Sequence, residues 1–483
     1  MGTATDALHK TAETAPSGQA DYCTYVEVYG KYFDASAPVD EQSFITTYRI
    51  YLGANNKADF NLLRNRAYTV NVTLRGKNEV DMRVESVLDP ANCYMVSQPS
   101  KEYTFNATIM GNGVLTQGYD KSGDNSTPAI VPARLRPDGA MLLWETGDAG
   151  SVIEPGSVRL SDDGRFIRFK TSATIGGNAV IAATKNGAVI WSWHIWSTEY
   201  DPESSYDTYT TRMVTASGNF NKLDPRQIKV MKVNLGATSL TSTPGDIGCY
   251  GLYYQWGRKD PFIGANATVA GKVETTAFGN LTAPTTNAAG YEWSTSYSGG
   301  TGDVDQVMSL SIASPTVFFT IGAGSGGVGD WITGNSQSRR DNLWGNVAES
   351  SWMPNPDFGS KSLYDPCPAG WRVPPSDTWT MFTTDGYNVS TVAKMNVAGS
   401  WSEGWSFYCS DTGSGATVFY PATGLRDPVY GKITGAGYSE YKSSSSKGSS
   451  ATQPTFSFNT KYVMPLLAAK RGNGGAVRCV KEE

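Results

Sequence analysis

From residue 22 the chain alternates as β-strands do. Thr24, Val26 and Val28 face one way, and Cys23, Tyr25, Glu27 and Tyr29 the other. Tyr48, Ile50 and Leu52 predict a second strand, closed by Gly53-Ala54-Asn55-Asn56. After a short DFNLLRNR segment, Tyr68, Val70, Val72 and Leu74 alternate with Thr69, Asn71, Thr73 and Arg75 and stop at Gly76. Such a set of strands falls short of the roughly seven in a stable sandwich. Residues 21–85 therefore read as a partial β-sandwich, with its missing strands cut away or supplied by another chain.

Residues 86–200 predict a second β-sandwich. Tyr103, Phe105, Ala107 and Ile109 alternate with polar neighbours, and Pro137-Asp138-Gly139 and Asp162-Asp163-Gly164 are turns that lead into apolar strands. The clearest element is a hairpin: an apolar run from Ala179, then Lys185-Asn186-Gly187, then AVIWSWHIW. Asn-Gly between two such runs favours a tight two-residue turn. In the second run Val189, Trp191, Trp193 and Ile195 alternate with Ile190, Ser192, His194 and Trp196, which predicts a buried central strand.

Residues 201–228 are polar, carry Asp201-Pro202 and Asp224-Pro225, and read as a linker. From Lys229 to the end, glycines, aromatics and short apolar runs mix without long periodicity. The helical signal is confined mainly to residues 376–382, where Ser376 or Asp377 is the expected cap. Polar stretches at 263–302 and 442–455 read as loops, the second rich in Ser and Lys. The fold class is mainly β, with a loop-rich α+β region at 229–483.

Composition narrows the function classes. The 483 residues hold 40 Lys+Arg against 45 Asp+Glu, a net charge of -5, with no basic run of the kind that binds nucleic acid. Charged residues are 18%, against about 25% in ordinary globular chains, while aromatics reach 12%, which argues against bulk disorder. No apolar run is long enough to cross a membrane as a helix. His9 and His194 are the only histidines, too few for a multi-His metal site. Residues 1–20 carry neither a basic nor an apolar signal region and read as a disordered leader, the start of a fragment. The six cysteines (Cys23, Cys93, Cys249, Cys367, Cys409 and Cys479) form no CxxC pair, and their even number suits an oxidising compartment.

Three regions resemble known families. TYRIYLGANNKADFNLLRNRAYTVNVTLRG (47–76) resembles the closing strands of fimbrillin-family surface proteins of the Bacteroidota. NAVIAATKNGAVIWSWHIW (178–196) resembles a β-sandwich module found beside them. Five blocks follow in order: VMKVNLGATS (230–239), GLYYQWGRKDPF (251–262), YDPCPAGWRVPP (364–375), YPATGLRD (420–427) and GGAVRCVKE (474–482). Together they resemble the Fibrobacter succinogenes major paralogous domain, whose fold is similar to C-type lectins and formylglycine-generating enzymes. Cys367 and Cys479 sit in the two most motif-like blocks and are expected to form a disulfide.

The resemblance also defines what to look for. The formylglycine-type enzymes carry a GNVWEW-like calcium loop and a close cysteine pair. Here the string at 345–350 is GNVAES, and no two cysteines are close in sequence, though Cys249 and Cys409 could meet in space; the pairing of Cys23, Cys93, Cys249 and Cys409 stays open. C-type lectins hold calcium with EPN or QPD and WND tripeptides, of which Asn355-Pro356-Asp357 and Trp344-Gly345-Asn346 are faint echoes. Gly302-Asp303-Val304-Asp305 is another oxygen-rich turn. No cofactor is expected, calcium being the one left open. Sugar binding without metal would use aromatic platforms, and Trp401, Trp405, Tyr408, Tyr438 and Tyr441 are the candidates, with core packing the alternative for each. His194 reads as a hydrogen-bonded strand histidine, and no GxSxG or catalytic triad is present.

The expectation is a non-enzymatic fimbrillin-like adhesin or pilus-tip component on the outer surface of the cell. Its partners would be other pilus subunits or a host or bacterial surface glycan or protein. The alternative is a surface glycan-binding lipoprotein of a polysaccharide-uptake system.

Overall fold

Period-2 patterning is clearest in the hairpin at 177–197, and the computed structural model follows it there. Residues 23–33, 43–52, 87–114, 133–212, 224–241, 243–264, 285–287, 304–320, 329–332, 342–345, 360–410, 413–434, 437–446 and 452–482 are described. The chain divides into two units, Met1–Asp89 and Pro90–Glu483. In the first, β1 (Tyr25–Phe33) and β2 (Ser43–Tyr51) pair antiparallel, with Tyr25 opposite Tyr51 and Phe33 opposite Ser43. The strand expected around 68–74 lies outside the described residues.

The second unit begins with β3 (Cys93–Val96), β4 (Glu102–Asn106), β5 (Gly139–Thr146), β6 (Arg159–Leu160), β7 (Phe166–Lys170), β8 (Gly177–Lys185) and β9 (Ala188–Ser197). One sheet runs β5-β8-β9-β3, with β3 parallel to β9, and another runs β4-β7-β6. The two sheets face each other through aromatic side chains. Phe105 on β4 lies 4.9 Å from Trp193 on β9 and 4.6 Å from Tyr94 on β3 (ring centroids). The β8–β9 turn forms at the expected Asn186-Gly187, with φ of 51° and 78°, the double-positive geometry an Asn-Gly pair supplies. Asp138 accepts the Asn186 N–H at 2.9 Å, so the neighbouring turn braces the hairpin.

Both faces of β9 are buried, and each has a different neighbour. Trp193 fills the sandwich, whereas Ser192, His194 and Trp196 hydrogen-bond to Asp260, Tyr254 and Ala237 of the C-terminal region. Asn92 adds a second clasp, donating to Leu363 O at 2.8 Å and Asp365 O at 2.9 Å. The sandwich and the C-terminal region, read as flanking a linker, thus share one unit.

Next come β10 (Tyr206–Thr210), β11 (Gln227–Met231), β12 (Tyr253–Gln255), β13 (Thr285–Asn287) and helix α1 (Val304–Ala313). They are followed by β14 (Trp371–Arg372), β15 (Val397–Ala398), β16 (Gly404–Tyr408), β17 (Thr417–Pro421), β18 (Leu425–Arg426) and β19 (Ile433–Thr434). The last are β20 (Ser439–Lys442), β21 (Thr452–Phe458), β22 (Val463–Lys470), β23 (Gly474–Ala476) and β24 (Val480–Lys481). One sheet has the order β10-β11-β24-β14, so the final strand inserts beside the strand that opens the region. The largest runs β19-β18-β23-β20-β21-β22 with β12 on β23, and β15-β16-β17 form a third. Strand β13 extends the sandwich sheet at β5.

Three local readings need correction. The expected linker contains β10 and the start of β11, because Tyr209 and Ile228 are drawn into the aromatic core. Ser376–Phe382 is a 3-10 helix whose N-cap is Pro375, with no side-chain cap; the Asp377 carboxylate turns to Arg226 instead. The Ser/Lys stretch is not a solvated loop where described: Lys442 ends β20, Ser443–Ser446 are buried, and Thr452 begins β21.

Candidate functional site

The five sequence blocks converge inside the protein. From VMKVNLGATS, Asn234 donates to Tyr250 O and to the Tyr441 hydroxyl, each at 3.0 Å, and accepts from Arg478 Nε at 2.8 Å. Arg478, from GGAVRCVKE, lies 3.8 Å above the Tyr420 ring and donates to Phe419 O at 3.2 Å. Trp379 Nε1 donates to the Tyr420 hydroxyl at 3.2 Å, and Tyr209 meets that hydroxyl at 3.0 Å. A fully buried guanidinium is thus held by an amide, a carbonyl and an aromatic face.

The GRKDPF block is spent similarly. Arg258 stacks on Phe262 and Phe319 at 4.8 and 4.7 Å and donates to Val317 O at 2.6 Å. Asp260 pairs with Lys259 at 2.5 Å and accepts from Ser192 at 2.6 Å. Gly475 is tight for a reason: a Cβ there would stand 2.6 Å from Glu440 O.

YDPCPAGWRVPP is shaped by two buried charges. Asp365 accepts the N–H groups of Cys367 and Val373, both at 2.8 Å, while Lys361 Nζ donates to the carbonyls of Cys367 and Trp371 at 2.8 and 2.7 Å. Burial pushes the Asp365 carboxyl up to about 6, with Lys361 pulling the other way. Cys367 and Cys479 are joined, closing the expected disulfide across 112 positions, with Cα atoms 6.1 Å apart. Cys249 and Cys409 are not joined to each other. Both are buried thiols, pushed up to about 12 by desolvation.

Of the candidate aromatic platforms, Trp405 and Tyr441 are core residues, 5% and 0% exposed, and offer no ring face to a ligand. Trp405 Nε1 donates to Asn459 O at 2.9 Å, and the Tyr441 hydroxyl donates to Pro421 O at 3.1 Å. Trp401, Tyr408 and Tyr438 are half-buried. Trp401 packs on Trp405 and Phe458, and Tyr438 meets Tyr462 edge-on at 6.4 Å. No ring contact among the described residues joins Trp401, Tyr408 and Tyr438 into one platform.

The calcium echoes fall largely outside the described residues: Asn346, Asn355-Pro356-Asp357 and Asp303 are not among them. Trp344 is buried and donates to Arg258 O at 3.2 Å. Among the described residues no three acidic, His or Cys side chains cluster as metal ligands would.

A cleft of about 310 Å³ lies among the described residues at the sheet β10-β11-β24-β14. Ile228, Val480 and Pro375 line it with apolar surface, and Arg226, Lys229, Arg372 and Lys481 bring positive charge. Asp377 grips Arg226 through two bonds of 2.9 and 3.0 Å. Lys229 lies over the Tyr206 ring at 4.7 Å, and Lys481 pairs with Glu203, which also accepts from Trp371 Nε1 at 2.9 Å. The disulfide ties together the two segments that supply Arg372 and Pro375 on one side and Val480 and Lys481 on the other.

Sequence reading missed this cleft. Its cations are scattered from 226 to 481, and its first wall lay in the segment taken as a linker. The one local signal was the QIKVM alternation, with Gln227 and Lys229 exposed and Ile228 and Val230 buried.

Residues 1–72 match the family model of a domain of unknown function, DUF4906. That match covers the segment containing β1 and β2 and a minor part of the whole. The chain matches no curated protein and no solved structure.

Proposed function

We propose that this chain is a non-enzymatic cell-surface protein, a fimbrillin-like adhesin or pilus-tip component whose lectin-like C-terminal region makes the contact. The observation that carries the reading is how the chemistry-bearing residues are used. Asn234, Arg258, Asp260, Asp365 and Arg478 are all turned inward and consumed by internal bonds. His194 is buried, and desolvation drops its pKa to about 3, which suits a scaffold role and not a proton shuttle. The disulfide is in keeping with an oxidising compartment outside the cytoplasm. At the N-terminal end, strand complementation by another subunit would serve assembly.

The test is adherence. Beads coated with the purified chain should attach to bacterial or host cell surfaces above uncoated beads and above beads carrying reduced, unfolded chain. Attachment at the uncoated level on every surface tried would end the adhesin reading. The second reading, glycan capture for uptake by a surface lipoprotein, draws support from the cleft; soluble oligosaccharide binding without adherence would favour it.

A further inference from the structure

The geometry points to an intramolecular isopeptide bond between Lys442 and Asn473, formed with Glu440 as the proton carrier. This goes beyond the adhesin reading and does not rest on it. Glu440 and Lys442 stand two apart on β20 and share one face of the sheet, while Ser439 and Tyr441 take the other. One carboxylate bridges the two reacting groups. Glu440 Oε1 accepts from Lys442 Nζ at 2.6 Å, and Oε2 accepts from Asn473 Nδ2 at 2.8 Å. Lys470 O also serves both partners, accepting from Lys442 Nζ at 3.5 Å and from the Asn473 backbone N–H at 3.2 Å. Gly475 clears the approach, because a Cβ there would stand 2.9 Å from Lys442 Cε. The lysine therefore lies against a bare glycine of β23, two residues from the asparagine.

The second argument is the dryness of the site. Glu440 and Lys442 are 0% exposed and Asn473 is 9% exposed. Two charges so enclosed gain little net stability from each other, since desolvation offsets their attraction. Moving the proton from Lys442 to Glu440 removes both charges and leaves a lone pair on Nζ. Burial favours that transfer by lowering the Lys442 pKa, with Glu440 opposing. The amine then attacks Cγ of Asn473. Glu440 gives its proton to the departing Nδ2 and takes the second proton of Nζ. The Nζ–Cγ bond forms, the Cγ–Nδ2 bond breaks, and ammonia leaves while the carboxyl stays protonated. Asn473 Oδ1 is enclosed and accepts no hydrogen bond before the reaction. In the product the protonated Glu440 donates to that carbonyl, so the orphan acceptor gains its partner. The bond ties β20 to the turn between β22 and β23, close to the segment that the disulfide already anchors.

The experiment is intact-mass spectrometry of the whole folded chain, reduced after incubation, followed by tryptic mapping. The mass should fall below that of the reduced sequence by one ammonia. Lys442 and Asn473 should appear in one branched peptide, with no tryptic cut after Lys442. Asn473-Gly474 offers a competing loss of the same mass, a succinimide within the chain. Mild alkali opens a succinimide and leaves an isopeptide bond intact. A deficit erased by alkali, or kept in Lys442→Met, would therefore overturn the proposal. So would the full sequence mass in the folded wild type, which would leave the three residues a buried ion pair with its amide. Glu440→Gln should lower the linked fraction tenfold or more, and wild-type chain held in urea throughout should stay unlinked. Equal linkage in either would remove Glu440 or the folded geometry from the reaction. Where a variant fails to fold by near-ultraviolet dichroism, the branched wild-type peptide decides alone.

Discussion

His194 Nε2 lies 2.9 Å from Asn178 Oδ1, which can only accept, so the imidazole carries its proton on Nε2. Its Nδ1 then accepts from the Tyr254 hydroxyl at 3.4 Å, and Asn178 passes the chain on to Gly236 O at 2.9 Å. The neutral ring is therefore part of the joint between the sandwich and the C-terminal region.

Protonation of that ring should loosen the joint. Desolvation lowers the His194 pKa from 6.5 to about 3, so between those values the folded state binds fewer protons than the unfolded state. Stability from this group is complete above about pH 6.5 and is lost as pH falls toward 3, on the order of 5 kcal/mol in all. Asp365 acts in the opposite sense: its pKa is raised from 3.8 to about 6, so its contribution falls as pH rises through that window. Urea unfolding of wild type and His194→Gln at pH 7 and pH 4 separates the two. The gap between the proteins should shrink at pH 4; a constant gap would mean that His194 titrates normally.

The disulfide closes a loop of 112 positions, and by chain entropy such a bridge stabilises by about 4–5 kcal/mol. Cys367→Ser combined with Cys479→Ser should lose most of that in denaturant unfolding. Peptide mapping of the oxidised chain should recover the two cysteines in one linked fragment. Free thiols at both positions would remove the bridge from the structure.

The hairpin at Asn186-Gly187 was legible because a turn signal and a period-2 pattern coincide within twenty-odd residues. The disulfide was legible only through resemblance, since nothing local pairs Cys367 with Cys479. Strand β10 was not legible. YDTYT is polar, only Tyr209 is buried in it, and its partner strand begins beyond residues 213–223. Trp405 and Tyr441 were read as possible platforms because a large amphipathic ring serves a core and a binding face equally well. Distance along the chain hid the cleft: Arg226 meets its lining partner Lys481 only through the sheet order.

Arg478 should be among the least replaceable residues. Its fork serves Asn234 Oδ1 and Phe419 O while its flat face covers Tyr420. Lysine brings a charge but neither the fork nor the plane. Arg478→Lys should cost about 3 kcal/mol or more, with acceptors left bare in a dry interior. A loss under about 1 kcal/mol in denaturant unfolding would show that the hub is loosely held.

Trp405 distinguishes a core from a platform. Its indole donates to Asn459 O, packs against Trp401 at 5.5 Å, and belongs to the same cluster as Phe407, Tyr420 and Phe458. Trp405→Ala should therefore cost about 3–5 kcal/mol of stability through the cavity it leaves. Half-exposed Tyr408 is the control: Tyr408→Ala should cost much less. At a temperature where both variants remain folded by near-ultraviolet dichroism, any sugar affinity of the wild type should persist in Trp405→Ala. Affinity lost there, with stability unchanged, would return Trp405 to the list of binding residues.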